Sequence, residues 1–195
     1  SIDVVMIPRV NVEGGFLFWR GDYSGTDMNR DHMVVSTEQN AMVHDAYYTF
    51  MPHVVIDNHE FFFSEMGNYQ GDSEKFELND FQITGATSLN DDATVTDLTV
   101  EVVDKMHADL IDTGFRAFHY GITSNNPIGR AYYGLTNAIS ILIESHGADG
   151  ALFAFPRRVY GQVVSTKSVY EAGAERADEI IAAVDAARAD VAEKG

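Results

Sequence analysis

Two short apolar runs, each ending on an ionisable side chain, constrain this chain more than any other feature. Val54-Val55-Ile56 leads into Asp57-Asn58-His59, and Ile139-Ser140-Ile141-Leu142-Ile143 leads into Glu144. Both runs read as buried strands. A sheet is rigid, so polar groups at the end of such a strand are well placed for chemistry. A lone histidine is more often structural than ligating. Asp57 changes that weighing. It lies two residues from His59, on the same strand face, and a carboxylate beside a histidine is a common support for a ligating ring. Glu144 follows a run that places it in or near the interior, where carboxylates usually have a partner or a task.

The rest of the chain alternates strands and helices. Val4 to Ile7 reads as a strand ended by Pro8. From Asn11 to Asp31 the chain is polar and Gly-rich and reads as a long functional loop. Ser36-Thr37-Glu38-Gln39 has the form of a capping box. The helix it opens carries Ala41, Met42, Ala46 and Phe50, and stops at Pro52. Phe61 to about Asp91 shows no sustained period; with Gly67, Gly71 and Gly85 it reads as a surface excursion containing at most a short hairpin. A second amphipathic helix presents Val95, Leu98, Val102, Met106 and Leu110 on one face and stops at Gly114. Arg116 to Tyr120 reads as a short strand. Gly121 to Gly129 is loop, with Asn125-Asn126-Pro127 as a turn signal. From about Val163 to Val191 the pattern predicts one long Ala-rich helix, with Ala177, Ile180, Ile181, Val184 and Ala187 as its stripe. The expected fold is α/β: a mixed, mostly parallel central sheet flanked by helices, in a single domain over 1–195.

Composition excludes several functions. There are 195 residues, 45% apolar and 11% aromatic, enough for a packed core. Thirteen Lys and Arg stand against 30 Asp and Glu, a net charge of −17. Nucleic acid and anionic membrane surfaces are poor partners for such a chain. No cysteine is present, so thiolate nucleophiles, thiolate metal sites and disulfides are excluded. That absence fits an oxidising space without requiring one; a secreted or periplasmic setting is slightly favoured. No apolar run approaches transmembrane length, and no signal peptide is visible.

Asn29-Arg30 sets an amide beside a guanidinium, a pair suited to gripping a carboxylate. The plainer reading is a surface turn in which Arg30 pairs with Asp27 or Asp31. Trp19-Arg20 has a plain reading too, as a stacked surface pair. His32, His44, His53, His107, His119 and His146 show no helical ligand spacing and read as structural.

Taken in order, these motifs resemble the zinc metallocarboxypeptidases of the carboxypeptidase A/B type. Asn11-Val12-Glu13-Gly14 looks like the family's Asn-Pro-Asp-Gly segment. Trp19-Arg20 looks like its Trp-Arg. Gly25-Thr26-Asp27-Met28-Asn29-Arg30 looks like its Gly-x-Asp-Leu-Asn-Arg. Ile56-Asp57-Asn58-His59 looks like the strand ending in the third zinc ligand, and Ile139 to Glu144 like the strand ending in the catalytic glutamate. The resemblance spans Pro8 to about Gly147. It implies a carboxypeptidase-like fold and a zinc-dependent exopeptidase acting on peptides with a free C-terminal carboxylate. It implies His59 as a zinc ligand, Glu144 as the proton carrier, and Arg20 as the group that polarises the scissile carbonyl. It further implies Asn29 and Arg30 as the terminal-carboxylate clamp. A closing phenol is expected at Tyr120, with Tyr132 and Tyr133 as rivals. Gly129 and Arg130, before the Glu144 strand, are expected to shape the pocket for the released side chain: Gly129 leaves room, and Arg130 supplies a positive floor.

The departures carry expectations of their own. The family draws its first two zinc ligands from a His-x-x-Glu motif before the Asn-Pro-Asp-Gly segment, and no such motif precedes Asn11. Zinc therefore has one of three expected ligands. The expectation is that this is the C-terminal part of a catalytic domain, lacking its N-terminal side and inactive alone. An exposed sheet edge would then invite self-association. Two other readings stand beside it. A deacylase of the aspartoacylase or succinylglutamate desuccinylase kind shares the fold, the Asn-Arg pair and the late glutamate. A non-catalytic module would keep the carboxylate clamp and hydrolyse nothing.

Overall fold

The structure is a computed structural model and describes residues 2–61, 79–121, 127–147 and 154–194. The expected excursion around Gly67 and Gly71 and the Asn125-Asn126 turn lie outside the described residues.

A mixed sheet of four strands forms the centre, flanked by six α-helices among the described residues. In chain order the elements are α1 (Val12–Leu17), a 3-10 turn (Met28–Arg30), α2 (Glu38–Phe50), β1 (Val54–Phe61) and β2 (Phe81–Gly85). There follow α3 (Ala93–Asp112), β3 (Ala117–His119), α4 (Gly129–Leu135), β4 (Ile139–His146), α5 (Phe155–Glu175) and α6 (Ala177–Lys194). The strand order is β1-β4-β2-β3. β1 runs parallel to β4 and β2 parallel to β3, while β2 and β4 are antiparallel. The expected α/β class with a mostly parallel sheet is what forms.

β4 is central, so nearly all of it is buried. The expected strand β1 is also there, but it lies at the sheet edge, and Val54, Val55 and Ile56 are only half-buried. α3 places Val95, Leu98, Val102, Met106 and Leu110 in the core, as its 3.6-residue period requires. Asp92 caps it by accepting from the backbone N–H groups of Thr94 and Val95. Gly114, at φ +89°, takes the left-handed conformation that turns the chain away. The core joins this face to Ile139, Ile141 and Ile143 of β4, Phe81 and Ile83 of β2, and Val169, Ile180 and Val184 of α5 and α6.

Several expectations are corrected. Val4 to Ile7 forms no strand and lies exposed. The stretch from Asn11 to Asp31 is not all loop, since it contains α1 and the 3-10 turn. Thr37, not Ser36, caps α2, and Gln39 reaches Glu13 at 3.0 Å instead of folding back. Met42 and Phe50 of α2 face solvent, and the buried face is Gln39, Asn40, His44 and Tyr47. β2 is a central strand where an excursion was expected. The loop before the Glu144 strand is helix α4. The single tail helix is two, interrupted at Arg176, whose φ of −115° is not helical.

Candidate active site

Cross-strand register makes the site. In the β1–β4 pair, His59 stands opposite Glu144 and Asp57 opposite Leu142. Paired residues on neighbouring strands project to the same face. His59 and Glu144 therefore share one face of the sheet. Neither is the last residue of its strand: β1 continues to Phe61 and β4 to His146.

Asp57 and His59 are locked together. His59 Nε2–H donates to Asp57 Oδ1 at 2.7 Å. Burial works against a charge on His59, but the Asp57 carboxylate, its hydrogen bond and Glu144 outweigh it and raise the pKa above the usual value. Burial likewise works against ionised Asp57, and the nearby His59, His32 and Arg130 outweigh it and lower its pKa. With Nε2 turned to Asp57, Nδ1 is the other ring nitrogen of His59.

The front of the site is organised by Asn11. Its Oδ1 accepts from Gly14 N at 2.8 Å, and its Nδ2 donates to Arg20 O and Gly21 O at 3.0 Å each. A Cβ on Gly14 would come within 2.2 Å of Trp19 O, so only glycine fits there. The Asn and Gly of this motif thus hold the backbone that carries Arg20. Arg20 Nε donates to Asp27 Oδ2 at 2.8 Å, and its charge acts on His59. Asp27 in turn caps the 3-10 turn that bears Asn29 and Arg30. It is Arg20, not Arg30, that takes Asp27.

Asn29 Oδ1 accepts from Gly129 N at 2.8 Å, which leaves its amide N–H groups to donate. Arg30 is exposed and donates one N–H to Asn29 O at 2.8 Å. Among the described residues the remainder of its planar fork has no partner, so it can face an anion.

Arg130 is the largest fully buried side chain, 1% exposed. Its Nη1 donates to Gly85 O at 2.6 Å, and its Nε and Nη2 have no hydrogen-bond partner among the described residues. Among the described residues no carboxylate forms an ion pair with it, though Tyr120, Glu144, Asp57 and Asp91 act on it electrostatically. Gly129 does not open room for a substrate side chain. A Cβ there would meet Asp57 Oδ2 and His32 Nε2 at 3.0 Å each, so the space is already taken.

Tyr120 is buried just beyond β3, its backbone N–H donating to Ile83 O at 2.8 Å. Its rivals are engaged elsewhere. Tyr132 shares a hydrogen bond with Tyr48 at 2.5 Å. Tyr133 packs on His32 and Tyr47.

Two residues read from sequence as structural border this centre. His32 and His44 are buried, with their rings stacked on each other, and the Asp57 charge acts on His32. The position of His32, two residues past the Asn29-Arg30 pair, was the available signal.

The donor set does not complete a metal centre. Among the described residues no three His, Cys, Asp or Glu side chains form a group able to hold a metal ion. A single imidazole falls short of the three protein ligands of a catalytic zinc.

No family model matches the chain. Among curated proteins it is similar to "Carboxypeptidase 2" of Trichophyton rubrum, 29% identical over 196 residues, covering 92% of this chain and 36% of that protein. "Carboxypeptidase 2" of Trichophyton equinum is 28% identical over the same shares. Among solved structures, "Putative carboxypeptidase A" from Shewanella denitrificans OS-217 superposes with a TM-score of 0.61 at 17% identity. That match covers 87% of this chain and 46% of the other. The fold is carboxypeptidase-like, and the curated relatives are named carboxypeptidases. The chain spans little more than a third of the length of those curated relatives.

Proposed function

We propose that this chain is part of a zinc-dependent exopeptidase that hydrolyses the C-terminal bond of peptides. The observation that carries the proposal is the pairing of His59 with Glu144 across β1 and β4, on the face where Arg20 acts on His59. In this reading His59 would be one zinc ligand, the others coming from beyond the described residues, and a bound zinc would supply activation of water. The chain's own groups do the rest. Glu144 takes a proton from the attacking water and delivers it to the leaving amine. Arg20 stabilises the developing oxyanion. The Asn29 amide and Arg30 fork bind the terminal carboxylate, which makes the enzyme an exopeptidase. Tyr120 closes the site. Arg130, with N–H groups that have no partner among the described residues, favours Asp or Glu as the released residue. A secreted or periplasmic setting fits a chain without cysteine. Among the described residues no helix is long and apolar enough to cross a membrane.

Release of the terminal residue from peptides, by this chain alone and by the longer polypeptide, tests the proposal. The longer polypeptide should release it and this chain alone should not. Hydrolysis by this chain with stoichiometric zinc would overturn its expected inactivity. Cleavage of N-acyl amino acids in place of peptides would favour the deacylase. Terminus binding without hydrolysis would favour the carboxylate-binding module. In the longer polypeptide Arg30→Ala should raise KM, by about 1.5–3 kcal/mol of lost charge-assisted contact. Glu144→Gln should lower kcat and leave KM nearly unchanged. Equal loss of peptide affinity in both variants would show the roles to be misassigned.

A further inference from the structure

We propose that Asn29 is a positioning residue for Arg130 as well as half of the carboxylate clamp. One amide then couples the grip on a peptide's terminus to the choice of its terminal side chain. This rests on the reading that Asn29 and Arg30 hold the terminal carboxylate and that Arg130 reads the released residue. α4 is a weak helix by itself. It has seven residues, Gly129–Leu135, and opens on glycine, the poorest helix former after proline. A helix so short does not hold in water unaided. Its N-cap residue is Ile128, whose side chain has no group that could accept a hydrogen bond. The oxygen comes instead from Asn29, a hundred residues earlier in the chain, whose Oδ1 accepts from Gly129 N at 2.8 Å.

A second stitch lies on the other side of Ile128, where His32 N donates to Pro127 O at 3.2 Å. The His32 ring also meets the rings of Tyr132 and Tyr133 in α4, at centroid distances of 6.0 and 5.5 Å. The turn that carries the clamp and the start of α4 are therefore laid against each other. Through its backbone N–H, Asn29 donates to Asp27 Oδ1 at 2.9 Å, and Asp27 Oδ2 takes Arg20 Nε at 2.8 Å. One residue past Gly129, Arg130 is anchored by Nη1 on Gly85 O at 2.6 Å. Every link from Arg20 through Asn29 to Arg130 is thus a hydrogen bond or a peptide bond.

A backbone N–H can only donate, so the Asn29 amide turns its oxygen to Gly129 and its NH2 group to the other side. A carboxylate held by that NH2 group polarises the amide and makes its oxygen a better acceptor, since hydrogen bonds in a row strengthen one another. Arg30 stands differently. It is exposed and donates to Asn29 O, and among the described residues it makes no hydrogen bond to α4. Losing Arg30 should therefore cost affinity alone, and losing Asn29 should cost affinity and selectivity together.

Amide hydrogen exchange followed by NMR in the 195-residue chain tests the hold on α4. In Asn29→Ala the Gly129 amide should exchange about five- to tenfold faster, as loss of a cap implies, while Ile141 of β4 stays protected. Asn29→Asp keeps an oxygen in the same place and should leave the Gly129 amide protected. Wild-type exchange of Gly129 in a folded Asn29→Ala variant overturns the proposal. So does an equal loss of protection in Asn29→Asp. In the longer polypeptide, the ratio of kcat/KM for peptides ending in Glu to that for peptides ending in Leu tests the selectivity. Arg30→Ala should lower both values by the same factor and keep the ratio. Asn29→Ala should lower both and bring the ratio toward one. A ratio preserved in Asn29→Ala overturns the proposal. A wild-type protein with no preference for Glu, or with no peptide release, overturns the reading of Arg130 or of the peptidase, and the selectivity half falls with it. Faster exchange of Gly129 in Asn29→Ala would still leave the hold of Asn29 on α4 standing.

Discussion

Asp31 shows how much one carboxylate can organise. Its Oδ1 accepts from the Ser36 backbone and hydroxyl and its Oδ2 from those of Thr37, at 2.7–3.0 Å. Burial pushes its pKa up, but these four donors outweigh burial and bring it from 3.8 to about 2. A depressed carboxylate contributes stability that is complete above its unfolded pKa and is lost as pH falls through the folded one. Urea unfolding should therefore be nearly flat in this contribution above about pH 4 and decline toward about pH 2. Asp31→Asn should flatten that decline; a variant with an unchanged acid slope would show the charge to be idle. At this scale the sequence was legible where a polar residue breaks an apolar run, as at His59 and Glu144. It was not legible at His44, which read as structural: its burial against His32 depends on what α2 and the 3-10 turn bring together, and only the place of His32 just past Asn29-Arg30 hinted at it.

Elements were legible in proportion to how one-sided their burial is. α3 buries one stripe, so its period is visible. β2 is covered on both faces, so Phe81, Gln82, Ile83 and Thr84 are all buried and no alternation survives to be read. α2 misleads because its inner face is polar and aromatic, Asn40, His44 and Tyr47, while Met42 and Phe50 point outward. In α5, Gly161 lets the helix lie against β2: a Cβ there would stand 2.3 Å from two ring carbons of Phe81. Gly173, in the same helix, has nothing within 4 Å of its Cβ position. Replacing glycine by alanine in a helix gains up to about 1 kcal/mol in propensity. Overpacking a core costs about 1–3 kcal/mol. Gly161→Ala should therefore destabilise by about 1–2 kcal/mol and Gly173→Ala should stabilise slightly in denaturant titrations. The same sign at both positions would show that the Phe81 contact does not govern this packing.

For the molecule as a whole, two forces oppose each other at the edge of the sheet. Among the described residues β1 is an eight-residue edge strand that pairs with β4 alone, leaving its other row of backbone groups without a strand partner. A net charge of −17 keeps copies apart. Salt screens the second force and leaves the first. The 195-residue chain should sediment as a monomer at low ionic strength and associate as salt and concentration rise. A monomer under all of these conditions would show the edge to be protected.

The parallel pairing of β1 with β4 also has a history in time. Everything from β2 through α4 must be made before β4 exists, so during synthesis β1 waits for its partner on the order of ten seconds at ~5–20 residues per second. Throughout that wait His59 and Asp57 are on a strand with no neighbour of its own sheet, and Glu144 has not left the ribosome. His59 and Glu144 come to face each other only once β4, the last of the described strands, pairs with β1. A slow-translating stretch between them would thus prolong the interval in which β1 is open to a wrong strand.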